Sequence, residues 1–194
     1  MAEYQTLPDD LPAPQDDGAA DHLPGLELPI IGLPATNGER VDLSSLSGRA
    51  VVYVYPRTGV PGEPLPDGWD AIPGARGCTP QSCAFRDHYA ALKAVGVEHV
   101  FGLSVQDTPY QAEVVERLEL PFPLLSDHRR EFSQAVRLPT FEVDGAVLLK
   151  RITLIIDEGA ISHVFYPVFP PDENAAQVLA HLQARAAARD EAEE

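Results

Sequence analysis

Gly77-Cys78-Thr79-Pro80-Gln81-Ser82-Cys83-Ala84-Phe85-Arg86-Asp87 holds both cysteines of the 194-residue chain. Thr79-Pro80 predicts a helix start: threonine caps orphan N–H donors, and proline is pre-set for the first helical position. Phe85, Tyr89 and Leu92 follow at helical spacing, and Gly96 predicts the stop. Both cysteines therefore lie at the positive end of a helix dipole, beside unpaired N–H donors. Such a place attracts negative charge, and the thiolate is the nucleophilic form of cysteine. Cys78 precedes Phe85 by about two helical turns and shares its buried side, whereas Cys83 points elsewhere.

The C-x4-C spacing has a geometric consequence. Five residues of ideal helix separate two Cα atoms by about 8 to 9 Å. A disulfide tolerates roughly 4.4 to 6.8 Å. If both cysteines are helical, joining them requires the first turns to unwind. The residues alone leave other readings open. Free cysteines are often small buried hydrophobes. A zinc site needs more ligands at suitable spacing, and His22, His88, His99, His128, His163 and His181 are scattered. His88 reads as a surface or half-buried helix residue. A thioredoxin-type C-x-x-C is absent.

Outward from this stretch, strand and helix signals alternate. Ala50-Val51-Val52-Tyr53-Val54-Tyr55 is a β-branched and aromatic run that stops at Pro56, the pattern of a buried strand. Val97 to Val105 predicts a second strand. Asp107-Thr108-Pro109 opens a helix with Val114, Val115 and Leu118 on its apolar side. Arg151 to Asp157 and Ile161 to Val168 predict strands joined as a hairpin at Glu158-Gly159. Pro171-Asp172 opens a final helix carrying Val178, Leu179 and Leu182. This order describes an α/β layer with mixed strand directions. Residues 57–77 interrupt it with Pro61, Pro64, Pro66 and Pro73 among five glycines, so they form neither regular helix nor strand. A loop of that length inside a compact domain is usually functional or mobile.

The composition narrows the function. Lys+Arg is 14 against Asp+Glu 30, a formal charge of −16. That argues against nucleic-acid backbones and anionic membrane surfaces, both of which need clustered cations. No apolar run approaches the roughly 18 residues of a membrane span. The start, residues 1–24, lacks the basic and apolar regions of a secretory signal; it is Pro-, Asp- and Ala-rich and reads as a disordered acidic tail. Residues 186–194 read as a fraying, acidic helix tail. No internal repeat is present. Two cysteines cannot staple a chain this long, so a reducing cytoplasm is the expected compartment.

The stretch from Gly77 to Asp87 resembles the active-site helix of peroxiredoxins, of the peroxiredoxin Q or bacterioferritin comigratory protein type. The resemblance extends to Val54-Tyr55-Pro56, to Leu120-Pro121-Phe122-Pro123-Leu124-Leu125-Ser126-Asp127, and to Arg151-Ile152-Thr153-Leu154-Ile155-Ile156-Asp157. Together these span 25–185 in the family's order. The resemblance implies a thioredoxin-like fold, a central mixed β-sheet flanked by helices, with an N-terminal hairpin extension. Cys78 matches the peroxidatic cysteine, which attacks the peroxide O–O bond and becomes a sulfenic acid. Cys83 matches the resolving cysteine, which condenses with it to an intramolecular disulfide. Arg151 matches the active-site arginine that stabilises the thiolate and the departing oxygen. The resemblance implies no cofactor and no metal. The resemblance further implies a thioredoxin- or glutaredoxin-like donor that reduces the disulfide, and a monomer or weak dimer is the expected state.

The family's short Pro-x-x-x-Thr-x-x-Cys loop is not intact. Ala75 stands three residues before Cys78, and Pro56 lies upstream of the inserted loop 57–77. Pro56 is the candidate for the family proline's shielding role. Thr58 is the candidate for the missing hydroxyl, with an ordinary turn residue as the alternative. Arg76 adds positive potential or is a solvated loop charge; Trp69 covers the pocket or, preferentially, anchors the loop. The leading expectation is thus a thiol peroxidase. The alternatives are a redox-sensing or binding module on the same scaffold with little turnover, and an acidic domain with inert thiols.

Overall fold

The computed structural model describes residues 6–193. Its centre is a five-stranded sheet in the order β5-β4-β3-β8-β9, where β3 is Arg49–Val54, β4 Val97–Ser104, β5 Leu124–Ser126, β8 Ile152–Asp157 and β9 Ala160–Phe165. β3 pairs in parallel with β4 and antiparallel with β8, so the sheet is mixed as expected. β8 and β9 form the expected hairpin across Glu158-Gly159.

The alternation of side chains along a strand sorts the two faces. Ala50, Val52, Val54, Ile152, Leu154 and Ile156 face one core. Val51, Tyr53, Tyr55 and Ile155 face the other. Both faces are covered, which is why β3 reads as an unbroken apolar run. The second face carries α1 (Cys78–Ala94), α2 (Thr108–Leu118) and α4 (Asn174–Glu193), through Phe85, Leu92, Val114, Leu118, Val178 and Leu182. The first face is closed by Leu23, Leu28, the hairpin of β1 (Gly32–Pro34) and β2 (Arg40–Asp42), and the short α3 (Glu131–Ala135). An outlying hairpin, β6 (Thr140–Val143) with β7 (Ala146–Leu149), packs against the inserted loop through Phe141 and Leu148. Among the described residues no helix is long and apolar enough to cross a membrane.

Four expectations are corrected. The first concerns residues 1–24, read as disordered: residues 6–24 instead form a strap on the fold, while residues 1–5 lie outside the described residues. Leu23 and Ala20 are buried in the first core. Asp17 accepts from Lys150 Nζ and from the Tyr166 hydroxyl, both at 2.7 Å. Composition counted too few apolar residues to offset ordering; it did not register that the few present have a groove to fill. The domain therefore begins well before residue 25.

The other corrections concern element ends. Helix α1 starts at Cys78 with Gly77 as its cap, and Thr79-Pro80 lies inside the first turn. Gly77 takes φ 106°, and a Cβ there would meet Pro171 at 2.3 Å and Leu7 at 2.9 Å. Only glycine lets the strap approach so closely. Strand β9 ends at Phe165 instead of Val168, because Pro167 has no N–H to donate to a neighbour. Pro171-Asp172 opens a 3-10 turn, Pro171–Glu173, and α4 begins at Asn174.

Candidate active site

The end of β3 delivers the chain to one side of the sheet, and the inserted loop brings it back to the start of α1. Within 57–77 the only regular element is the 3-10 turn Trp69–Ala71. Trp69 is buried and packs against Phe141 at 6.2 Å between ring centroids. It also lines the cavity at Cys78, with Leu65 and Thr58. Anchoring the loop and covering the pocket are thus one role for Trp69. Pro56 is buried at the end of β3 and does not line that cavity.

Cys78 is 4% exposed at the first position of α1. Its Sγ lies 3.3 Å from Arg151 Nη2 and 3.7 Å from the Ala75 carbonyl. Arg151 immediately precedes β8, and strand alternation places it with Thr153 and Ile155 on the helix-bearing face. Its Nη2 also donates to the carbonyls of Ala75 and Arg76 at 3.1 Å, and its Nη1 donates to Gln81 Oε1. Arg151 is 3% exposed, and among the described residues no carboxylate pairs with it. A buried guanidinium without a counter-ion is costly. Besides the Gln81 amide and two backbone carbonyls, the group that its guanidinium meets is the Cys78 sulfur.

Sequence reasoning missed what holds Arg151. Gln81 Nε2 donates to Asn174 Oδ1 at 3.0 Å, and Thr153 Oγ1 donates to the same oxygen at 2.7 Å. All three residues are fully buried. Gln81 was visible one turn beyond Cys78 as a polar residue on the buried side. Asn174 gave no sequence signal, because it joins the site only when α4 packs against α1.

Thr58 reaches the cavity, fully buried. Its backbone N–H and its hydroxyl both donate to Gln106 Oε1, at 2.9 and 3.1 Å. The cavity holds about 10 Å³, room for one water-sized molecule. Arg76 lines it too and pairs with Asp70 at 3.1 Å. Cys83 sits in the same helix as Cys78, half-buried, and both thiols are free. Burial pushes the Cys83 thiol up, while the Arg86 charge opposes that shift and the Asp87 charge adds to it. His88 Nδ1 meets the Ala84 carbonyl at 2.9 Å, a bond internal to the helix. Among the described residues no three His, Cys, Asp or Glu side chains converge as a metal cluster would require.

Residues 19–179 match the Redoxin family. A curated relative, chloroplastic peroxiredoxin Q of Sedum lineare, is 31% identical over 161 residues, which is 82% of this chain and 77% of the relative. The chain belongs to the peroxiredoxin Q group of that family. Another peroxiredoxin Q, from Oryza sativa subsp. japonica, is 32% identical over 82% of this chain. This peroxiredoxin spans 66% of that relative's length. Among solved structures, the peroxidoxin BcpB of Mycobacterium tuberculosis superposes with a TM-score of 0.67 at 26% identity, covering 84% of this chain and 98% of its own. The thioredoxin-like fold follows from that superposition. Both cysteines of this peroxiredoxin lie on α1, Arg151 lies just before β8, and residues 57–77 separate the end of β3 from Cys78.

Proposed function

We propose that the protein is a thiol-dependent peroxidase that reduces hydrogen peroxide or organic hydroperoxides through Cys78, with Cys83 as the resolving thiol. The observation that carries this is the buried Arg151 guanidinium, 3.3 Å from Cys78 Sγ and without a carboxylate partner. The Cys78 thiolate attacks the terminal peroxide oxygen. The O–O bond breaks, sulfur takes the terminal oxygen as a sulfenic acid, and the alkoxide or hydroxide leaves with a proton as alcohol or water. Arg151 faces the charge on sulfur and on the departing oxygen, and both it and Cys78 are buried, where such a contact is strong.

Resolution demands movement. Both thiols are in one continuous helix, and ideal helix geometry holds their Cα atoms about 8 to 9 Å apart. The first turns of α1 unwind, the Cys83 thiolate attacks the Cys78 sulfenic sulfur, the S–S bond forms, and hydroxide leaves as water. A dithiol of the thioredoxin or glutaredoxin class then returns the disulfide to two thiols and is itself oxidised. Such a cycle suits a reducing compartment such as cytoplasm and needs only a monomer or weak dimer.

The test combines intact mass with two variants. One equivalent of hydrogen peroxide should remove two hydrogens and join Cys78 to Cys83 in a peptide map. Cys78→Ser should abolish peroxide consumption, and Cys83→Ser should leave one turnover. Full activity in Cys78→Ser would remove the assignment. A second reading, a redox sensor, has its own support: Leu7 and Pro14 of the strap pack on Gly77 and Gly74, beside the turns that unwind. It predicts strap release on oxidation, with negligible turnover by any dithiol.

A further inference from the structure

Two arginines without acid partners open onto one cleft beside the active-site cavity. Arg57 and Arg130 are both half-buried, and neither forms an ion pair among the described residues. The Arg57 Nε is buried with no hydrogen-bond partner. The Tyr110 hydroxyl, which burial keeps neutral, is a side-chain hydrogen-bond partner of Arg57 and leaves its charge uncompensated, so two guanidiniums without acid partners on one cleft suit an anion from outside. They line an open cleft of about 380 Å³, within the size range of small-molecule sites. Val105, Val147 and Leu148 supply an apolar part of its lining. Asp107 lines the same cleft, and its carboxylate is engaged in capping α2, accepting from the Tyr110 N–H at 2.9 Å.

Arg57 also lines the cavity at Cys78. That cavity has room for the peroxide oxygens and little else, so the body of a larger hydroperoxide must lie outside it. Arg57 is the wall the two spaces share. We propose that the cleft is a subsite for organic hydroperoxides that carry an anionic group. The carboxylate rests between Arg57 and Arg130, the apolar body lies on Val105, Val147 and Leu148, and the hydroperoxide end reaches Cys78. This deepens the peroxidase assignment and rests on it. The chemistry is the same: the terminal oxygen passes to sulfur, and the anionic alcohol is released.

The experiment compares two matched substrates, cumene hydroperoxide and its para-carboxylate. The wild-type protein should favour the carboxylate by about tenfold or more in kcat/KM, mainly through KM, as expected for one charge-assisted contact. The preference should shrink as salt rises. In Arg57→Gln/Arg130→Gln the ratio of the two substrates should fall to about one, whatever the absolute rate. A ratio near one in an active wild-type protein overturns the subsite and leaves the peroxidase assignment standing. If neither hydroperoxide nor hydrogen peroxide is consumed, the peroxidase assignment fails. The cleft is then judged by binding of 4-isopropylbenzoate: affinity lost in the double variant supports a carboxylate site, and no binding to the wild-type protein overturns it.

Discussion

Asn174 Oδ1 accepts from Gln81 Nε2 at 3.0 Å and thereby decides which end of Gln81 faces Arg151. With the amide nitrogen held by Asn174, the amide oxygen is left for the guanidinium. Thr153, two residues beyond Arg151 on the same face of the sheet, holds the same Asn174 oxygen at 2.7 Å. The charge beside Cys78 is thus positioned from α4, a helix that carries no reacting group.

Asn174 acts through two other residues, so its loss should be graded. Asn174→Leu removes the acceptor and frees Gln81 to present its NH₂ to a cation. A lost hydrogen bond to a charged group is worth about 1.5 to 3 kcal/mol. The rate of Cys78 oxidation by hydrogen peroxide should fall by about tenfold to a hundredfold. Asn174→Asp keeps the acceptor and should recover most of that rate. A merely structural role predicts instead that both variants lose melting temperature with the rate per folded molecule unchanged. Stopped-flow oxidation beside thermal denaturation separates the two.

Arg151 meets Gln81, two loop carbonyls and a sulfur at once. Lysine carries the charge but not the planar fork. Arg151→Lys should keep part of the activity, and Arg151→Met should cost about a hundredfold to a thousandfold in the second-order rate with peroxide. Equal losses in the two variants would show that geometry counts and charge does not. The measurement is competition with a peroxide-consuming reporter at fixed pH.

Burial raises the Cys83 thiol above its ordinary value, so less of it is thiolate near neutral pH. In a Cys78→Ser background, alkylation of Cys83 by iodoacetamide should rise by about tenfold per pH unit through the usual cysteine range and level off only beyond it. Arg86 lowers this thiol and Asp87 raises it. Arg86→Gln should therefore move the profile to higher pH, and Asp87→Asn to lower pH. Movement in the opposite directions would contradict the electrostatics described here.

His163 and His181 stack at 3.9 Å between ring centroids where β9 meets α4. Burial depresses both imidazoles, and the Arg185 charge depresses each further. Arg49 adds to the effect on His181, and Asp157 accepts from Arg49 nearby. The folded state thus prefers neutral rings, while unfolded imidazoles protonate near 6.5. The stabilisation is complete above that pH and is lost as pH falls through the lowered folded values. Denaturant unfolding between pH 5 and 8 should show stability dropping on the acid side, and His163→Phe should flatten the drop. Asp17, held well below the carboxylate range by Lys150 and Tyr166, acts only at far lower pH and does not confuse the test.

The sequence by itself determined the layered fold and the helix that carries both cysteines. Strand β3 is apolar on both faces because both are covered, and that pattern is local. Asp107 announced α2 by capping it, a contact within a few residues. Cys78 and Cys83 lie on one helix start, and the meaning of their spacing follows from helix geometry alone. What only the tertiary structure decided has partners far apart in the chain. The strap from residue 6 to 24 is ordered by a groove that other elements build, through Leu23 in the core and Asp17 on Lys150. Thr58 comes to the Cys78 cavity, and Trp69 closes over it, because Phe141 of a distant hairpin holds the inserted loop. Asn174 and Gln81 meet across two helices, and Arg57 and Arg130 share a cleft across the inserted loop and the start of α3. Periodicity and capping encode contacts between near neighbours in the chain; packing brings together residues whose sequence separation carries no local signal.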